Sequence, residues 1–88
     1  MPPVTKSLFS ERYDRFREAL IAARTSAALT QDEVARRLSR PQSFVSKYER
    51  GERRLDVIEF FDIARAVGFD ALRFLRRLGL GAHGRKGV

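Results

Sequence analysis

Five stretches of the chain repeat apolar residues at three- and four-residue spacing, each bracketed by residues that start or stop a helix. Tyr13, Phe16, Leu20 and Ala23 form the first stripe, and Ser10 before it can act as a cap, which predicts a helix from Glu11 to about Ser26. Thr30 followed by Glu33 has the form of a capping box. A second helix should therefore start at Gln31, carry Val34, Ala35 and Leu38 on one side, and end near Leu38. The third begins at Pro41, whose fixed φ suits the first helical position, with Arg40 as nominal cap. Val45 and Tyr48 form its inner face and Gly51 ends it. Asp56 with Glu59 opens a fourth helix, Val57 to Val67, stopped by Gly68, with Val57, Phe60, Ile63, Ala64 and Val67 on one face. Asp70 caps a fifth, Ala71 to Leu78, with Leu72 and Leu75 turned inward. The fold class is all-α, a compact five-helix domain over residues 10–78. Residues 1–9, with two prolines and no helical period, read as a flexible arm, and residues 79–88 as a flexible basic tail rich in glycine.

The chain of 88 residues makes one domain with a small core. A domain of this size hides about 60 to 65 per cent of its unfolded surface, so stability depends on tight packing or a partner subunit. Net charge is +7, which suits a polyanion partner, and its distribution narrows the choice. Arg36, Arg37, Arg40, Lys47, Arg50, Arg53 and Arg54 face only Glu49 and Glu52 in the same quarter of the chain. The positive charge is thus concentrated on the second and third helices and the loop after them. Cysteine is absent, which excludes disulfides and thiolate metal sites, and His83 has no partner at metal-ligand spacing, so neither metal nor cofactor is expected. No apolar run approaches the roughly 20 residues that span a bilayer, and a cytoplasmic protein with no membrane partner is the simplest expectation.

The outer face of the third helix carries Gln42, Ser43, Ser46, Lys47 and Arg50 and no acid. An amide near a helix N-terminus can bond a base edge at two points, small hydroxyls permit close approach, and a cation adds attraction. These are the requirements for reading a DNA major groove, although an ordinary solvated helix face shares the polarity.

Taken jointly, Leu29-Thr30-Gln31, Val34-Ala35, Leu38, Val45-Ser46-Lys47-Tyr48-Glu49-Arg50-Gly51, Ile63-Ala64 and Val67-Gly68 make the chain resemble the lambda-repressor/Cro-like helix-turn-helix family, also called the xenobiotic-response-element (XRE) type. The resemblance covers residues 12 to about 69, with the motif at 30–51. It implies that the third helix enters the major groove and that Gln42, Ser43, Ser46 and Lys47 read bases. Phe44 sits in the same row where the family has a small residue; it either completes the core beside Tyr48 or leans into the groove against a thymine methyl. By the same resemblance Gln31 holds a phosphate and braces the reading helix. Arg50, Arg53 and Arg54 lie beside the sugar-phosphate backbone, their alternative being a solubilising loop. Arg24 pairs with Glu49, or both are separately solvated. Pro41, where Ser or Thr is usual, and Ser39, where Gly is usual, are further departures compatible with the fold.

Catalysis is not expected, because the chain has no cysteine, no glycine-rich phosphate loop, and its one histidine lies in the tail. The expected function is a sequence-specific double-stranded-DNA-binding transcriptional regulator, a dimeric repressor on a palindromic operator. With no room for a ligand domain, its control would come from concentration, a partner or competition at the operator. The alternative is an antitoxin that also binds a partner toxin and autoregulates its operon. For the dimer, Ile58, Phe61, Phe74 and Leu78 are surplus to the inner stripes and form a candidate interface, the rival being that Phe74 and Leu78 complete a monomer's core.

Overall fold

A computed structural model describes the backbone of residues 3–79 and the side chains of residues 11–79. It contains α1 (Pro3–Ser26), α2 (Gln31–Leu38), α3 (Gln42–Arg50), α4 (Val57–Val67) and α5 (Ala71–Leu78), with no strand among the described residues. The tail expected beyond Gly79, including His83 and Arg85-Lys86, lies outside the described residues.

The local signals that bound α2, α4 and α5 act as their chemistry dictates. Thr30 Oγ1 accepts the Glu33 amide at 3.0 Å while Glu33 Oε1 accepts the Thr30 amide at 2.8 Å. Asp56 and Glu59 repeat this exchange at 2.7 and 3.0 Å. Asp70 Oδ1 accepts the Arg73 amide at 2.9 Å. Each exchange satisfies amides that a helix start leaves without partners.

Two starts differ from expectation. The arm expected at residues 1–9 is helical from Pro3 onward, with Ser10 inside α1 rather than capping it. Proline is tolerated in a first turn, where its missing N–H is not needed, and no glycine or further proline follows before Ser26. Pro41 is the cap residue of α3, in extended geometry at φ −66° and ψ 153°, so the helix starts at Gln42 and Arg40 lies outside it.

The core gathers Leu20 from α1, Val34 and Ala35 from α2, Phe44, Val45 and Tyr48 from α3, Phe60, Ile63, Ala64, Ala66 and Val67 from α4, and Ala71 from α5. α2 packs on both α3 and α4, α1 lies across α3, and α5 closes against α4. Phe16, Phe60, Phe69 and Phe74 join α1, α4 and α5 in an aromatic cluster whose ring centroids lie 4.8 to 6.1 Å apart. Rings at these separations add attraction beyond the area they bury.

This cluster corrects the reading of α5. Phe74 is turned inward and Leu72, expected inside, is 63% exposed. The inner stripe is Ala71, Phe74, Leu75 and Leu78, a full i, i+3, i+4, i+7 series that begins on a small residue and is easily overlooked. Val57 is also out, at 67% exposure, because the first residue after the cap overhangs the end of the core.

Candidate nucleic-acid interface

α3 is held between a tight turn and a basic loop. The turn depends on Ser39, which takes the left-handed conformation (φ 58°, ψ 41°) and ends α2. Its amide donates to the carbonyls of Ala35 and Arg36, and the Arg40 amide donates to Ala35 O at 2.9 Å. An L-residue is strained there, which is why glycine suits the position. Pro41 then directs the chain into α3 without a side-chain cap.

Within α3, burial of Phe44, Val45, Tyr48 and Glu49 fixes the rotation of the helix. Gln42, Ser43, Lys47 and Arg50 are consequently exposed and Ser46 half-exposed, which brings the residues expected to read the groove onto one face. Phe44 does not belong to that face. Only 8% of it is accessible, its ring meets Tyr48 edge-on at 5.4 Å, and the residue is part of the core. A ring at this position follows the buried side of the helix turn, so it is corrected from base contact to packing.

A polar relay links the exposed face of α3 to the scaffold. Arg24 donates from Nε and Nη2 to the two carboxylate oxygens of Glu49 at 2.7 and 3.0 Å, a two-point pair that is largely buried. Gln31 donates from Nε2 to Glu49 Oε1 at 2.8 Å, and Gln42 donates from Nε2 to Gln31 Oε1 at 3.2 Å. One carboxylate therefore orients a side chain on α1, one on α2 and, through it, the first residue of α3. Donation to Glu49 holds the Arg24 guanidinium above its ordinary pKa against the opposing effect of burial. In this geometry the amide nitrogen of Gln31 is engaged, and the residue braces Gln42.

The loop after α3 is tied more closely than a solvated loop would be. Arg53 donates to both Glu59 oxygens at 3.0 and 2.9 Å, and the Arg40 guanidinium lies 3.6 Å from the same carboxylate. The Phe44 ring sits against these two guanidinium groups, at 4.3 Å from Arg40 and 4.9 Å from Arg53, within cation–π range. Hydrogen bonds from Arg53 and then from the Asp56 amide keep the Glu59 carboxyl below the usual carboxylate range. Arg50 pairs with Glu52 at 2.9 Å, and Arg54 lies over the Tyr13 ring at 4.3 Å. The three expected phosphate cations are thus near one another in sequence but differently committed.

Residues that sequence reasoning missed complete the support. Arg17 Nη1 donates to the Glu49 carbonyl at 2.6 Å, satisfying a carbonyl in the last turn of α3, and its Nε is buried without a partner. A Cβ on Gly51 would stand 3.4 Å from that Nε, an ordinary contact, so it is the φ of 83° rather than space that favours glycine at the end of α3. The available signal was the seven-residue spacing of Arg17 and Arg24, which puts both on one face of α1. Arg37 Nη1 reaches Ala66 O at 2.7 Å and ties α2 to the last turn of α4.

Of the expected dimer residues, Ile58 and Phe61 are 68% and 43% exposed on α4. Phe74 is withdrawn into the aromatic cluster and Leu78 is half-buried, so these two do not extend the α4 patch as expected. None of the described helices is long and apolar enough to cross a membrane.

The helix-turn-helix family model matches residues 20–74, which spans α2, the turn, α3 and the helices around them. Among solved structures, an XRE-family like protein from Pseudomonas syringae pv. tomato str. DC3000 is 51% identical, with a TM-score of 0.81 over 85% of this chain and 92% of that one. No match is found among curated proteins. With a braced α3 presenting an exposed polar face, and with these likenesses over most of its length, the chain belongs to the XRE-type helix-turn-helix family of DNA-binding transcription regulators.

Proposed function

We propose that the protein is a sequence-specific repressor that binds double-stranded DNA as a homodimer on a palindromic operator. The observation that carries this reading is the relay from Arg24 through Glu49 and Gln31 to Gln42, which orients an exposed amide at the start of α3. A bidentate amide contact to adenine needs such orientation, because a freely rotating side chain gives up discrimination as it orders. Gln42, Ser43, Ser46 and Lys47 are the base-reading set. Arg50, Arg53 and Arg54, with Gln31 at the start of α2, are the phosphate set, and they fix register without reading sequence. Arg53 must share its guanidinium with Glu59, whereas Arg54 has no ion-pair partner among the described residues.

Dimerisation uses the exposed row Val57, Ile58 and Phe61 on α4. A two-fold axis there repeats the reading helix about 34 Å away, one turn of DNA, so that both copies enter the same face of an operator and occlude a promoter.

Selection of bound DNA from a random duplex pool tests the reading. The expected result is an inverted repeat whose half-site centres lie about 10 base pairs apart. Gln42→Ala should cost about 1 to 3 kcal/mol on that site and relax preference at one base pair. Arg54→Ala should weaken all sequences alike and flatten the salt dependence by about one unit. Ile58→Glu with Phe61→Glu should give a folded monomer that binds single half-sites weakly. A pool that returns no consensus, or equal loss of specificity from Gln42→Ala and Arg54→Ala, refutes the proposal.

A further inference from the structure

On the side of the molecule formed by α1 and α5 lies a mostly apolar groove of about 600 Å³ that no α2 or α3 residue lines. Ala22 and Ala23 of α1 give it a shallow floor, and Phe74 and Leu78 of α5 form its wall. Arg73 and Arg77, one turn apart, stand at its rim. The α5 helix carries Arg73, Arg76 and Arg77 and no acid. All three arginines are exposed, and among the described residues none is in an ion pair. The one carboxylate among the described residues that line the groove, Asp70, accepts the Arg73 backbone amide at 2.9 Å and is engaged at the helix tip.

We propose that this groove docks a short amphipathic helix of a partner protein, with two or three apolar side chains along one face and glutamate or aspartate flanking them. The dimensions set the length: α5 has eight residues, about 12 Å of axis, enough to contact about two turns of a partner helix. Anchors at i, i+3 or i+4, and i+7 fit such a groove. The charge sets the flank. Covering the groove removes water from around Arg73 and Arg77, and a cation desolvated without a counter-charge opposes binding, so the occupant must bring acids to the rim. A second copy of this chain, at +7, and the chain's own residues 80–88, with Arg85 and Lys86 and no acid, carry the wrong sign. Because the groove is separate from α3, its occupant can be held while the reading face engages DNA, making the site a point of recruitment or control.

The test uses the full chain and two fluorescent 16-residue helical peptides, identical in a leucine stripe but flanked by glutamates in one and lysines in the other. Anisotropy should show binding of the glutamate peptide only. Arg73→Glu with Arg77→Glu should weaken it by about tenfold, as expected from two exposed ion pairs. Ala22→Trp, a substitution at an exposed position, should fill the groove and abolish binding while the circular-dichroism melting curve stays unchanged. No binding of the glutamate peptide to the intact chain, or equal binding of both peptides, overturns the proposal. So does a wild-type dimer that Ala22→Trp dissociates, since the groove would then be occupied by a second copy.

Discussion

Replacing Glu49 by alanine removes the centre of the polar relay, and the structure sets what that costs. The Glu49 side chain is 5% exposed and that of Arg24 15%, and the carboxylate accepts from Arg24 Nε, Arg24 Nη2 and Gln31 Nε2. Breaking a buried pair by removing one partner costs about 3 to 5 kcal/mol, because the remaining charge is left uncompensated. Here Arg24 keeps one partner, the Leu29 carbonyl at 2.9 Å, and retains some access to water. The expected loss is therefore at the low end, about 3 kcal/mol. For a domain of this size such a loss lowers Tm by about 12 to 24 °C, out of a total stability of about 5 to 15 kcal/mol. DNA affinity should fall in parallel, since Gln31 and then Gln42 lose their orientation. The assay is a double-mutant cycle of Glu49→Ala and Arg24→Met by urea denaturation. The double variant should be more stable than the two single losses imply, with coupling of about 2 to 3 kcal/mol, because removing both groups leaves no orphaned charge. Coupling within about 0.5 kcal/mol of zero would mean that the two side chains act independently, and the relay would not position α3.

Phe44→Ala should cost about 3 to 5 kcal/mol, the usual range for a buried ring, and also free Arg40 and Arg53; an unchanged Tm with weaker DNA binding would place the ring's role in the groove instead. Ser39→Gly removes left-handed strain of about 1 to 2 kcal/mol and adds chain entropy of about 0.5 to 1, so a net gain of about 0 to 1.5 kcal/mol is expected in thermal denaturation, and a lower Tm would refute it. Burial raises the Tyr48 phenol well above its ordinary value of 10.0. In the unfolded chain it ionises near that ordinary value, so its contribution is intact below about pH 10 and lost as pH rises toward the folded pKa, by about 1.4 kcal/mol per unit. Urea unfolding at pH 9 and 11 should show this decline in the wild type and a shallower one in Tyr48→Phe; parallel declines would show that Tyr48 is not its source.

What the sequence determined by itself is what neighbouring residues can settle. The starts of α2, α4 and α5 depend on exchanges between positions three residues apart, Thr30 with Glu33, Asp56 with Glu59 and Asp70 with Arg73, and their chemistry is complete within one turn. Gly51 and Gly68 end helices for an equally local reason, a positive φ. The outward set Gln42, Ser43 and Lys47 was legible because Val45 and Tyr48 fix the inner face of so short a helix. Only the tertiary structure decided which of several possible partners each side chain takes. Glu59 was readable as a cap, but its pairing with Arg53 and its approach to Arg40 depend on how α4 meets the turn before α3. Arg17 on the carbonyl of Glu49 spans 32 positions, and its spacing from Arg24 marks a shared face of α1 but not the partner. Likewise Phe74 rather than Leu72 is inside because Phe16, Phe60 and Phe69 supply rings on that side. Periodicity gives each helix an apolar face, but the neighbour that faces it is chosen by packing of elements distant in the chain, where the burial of whole side chains outweighs any local preference.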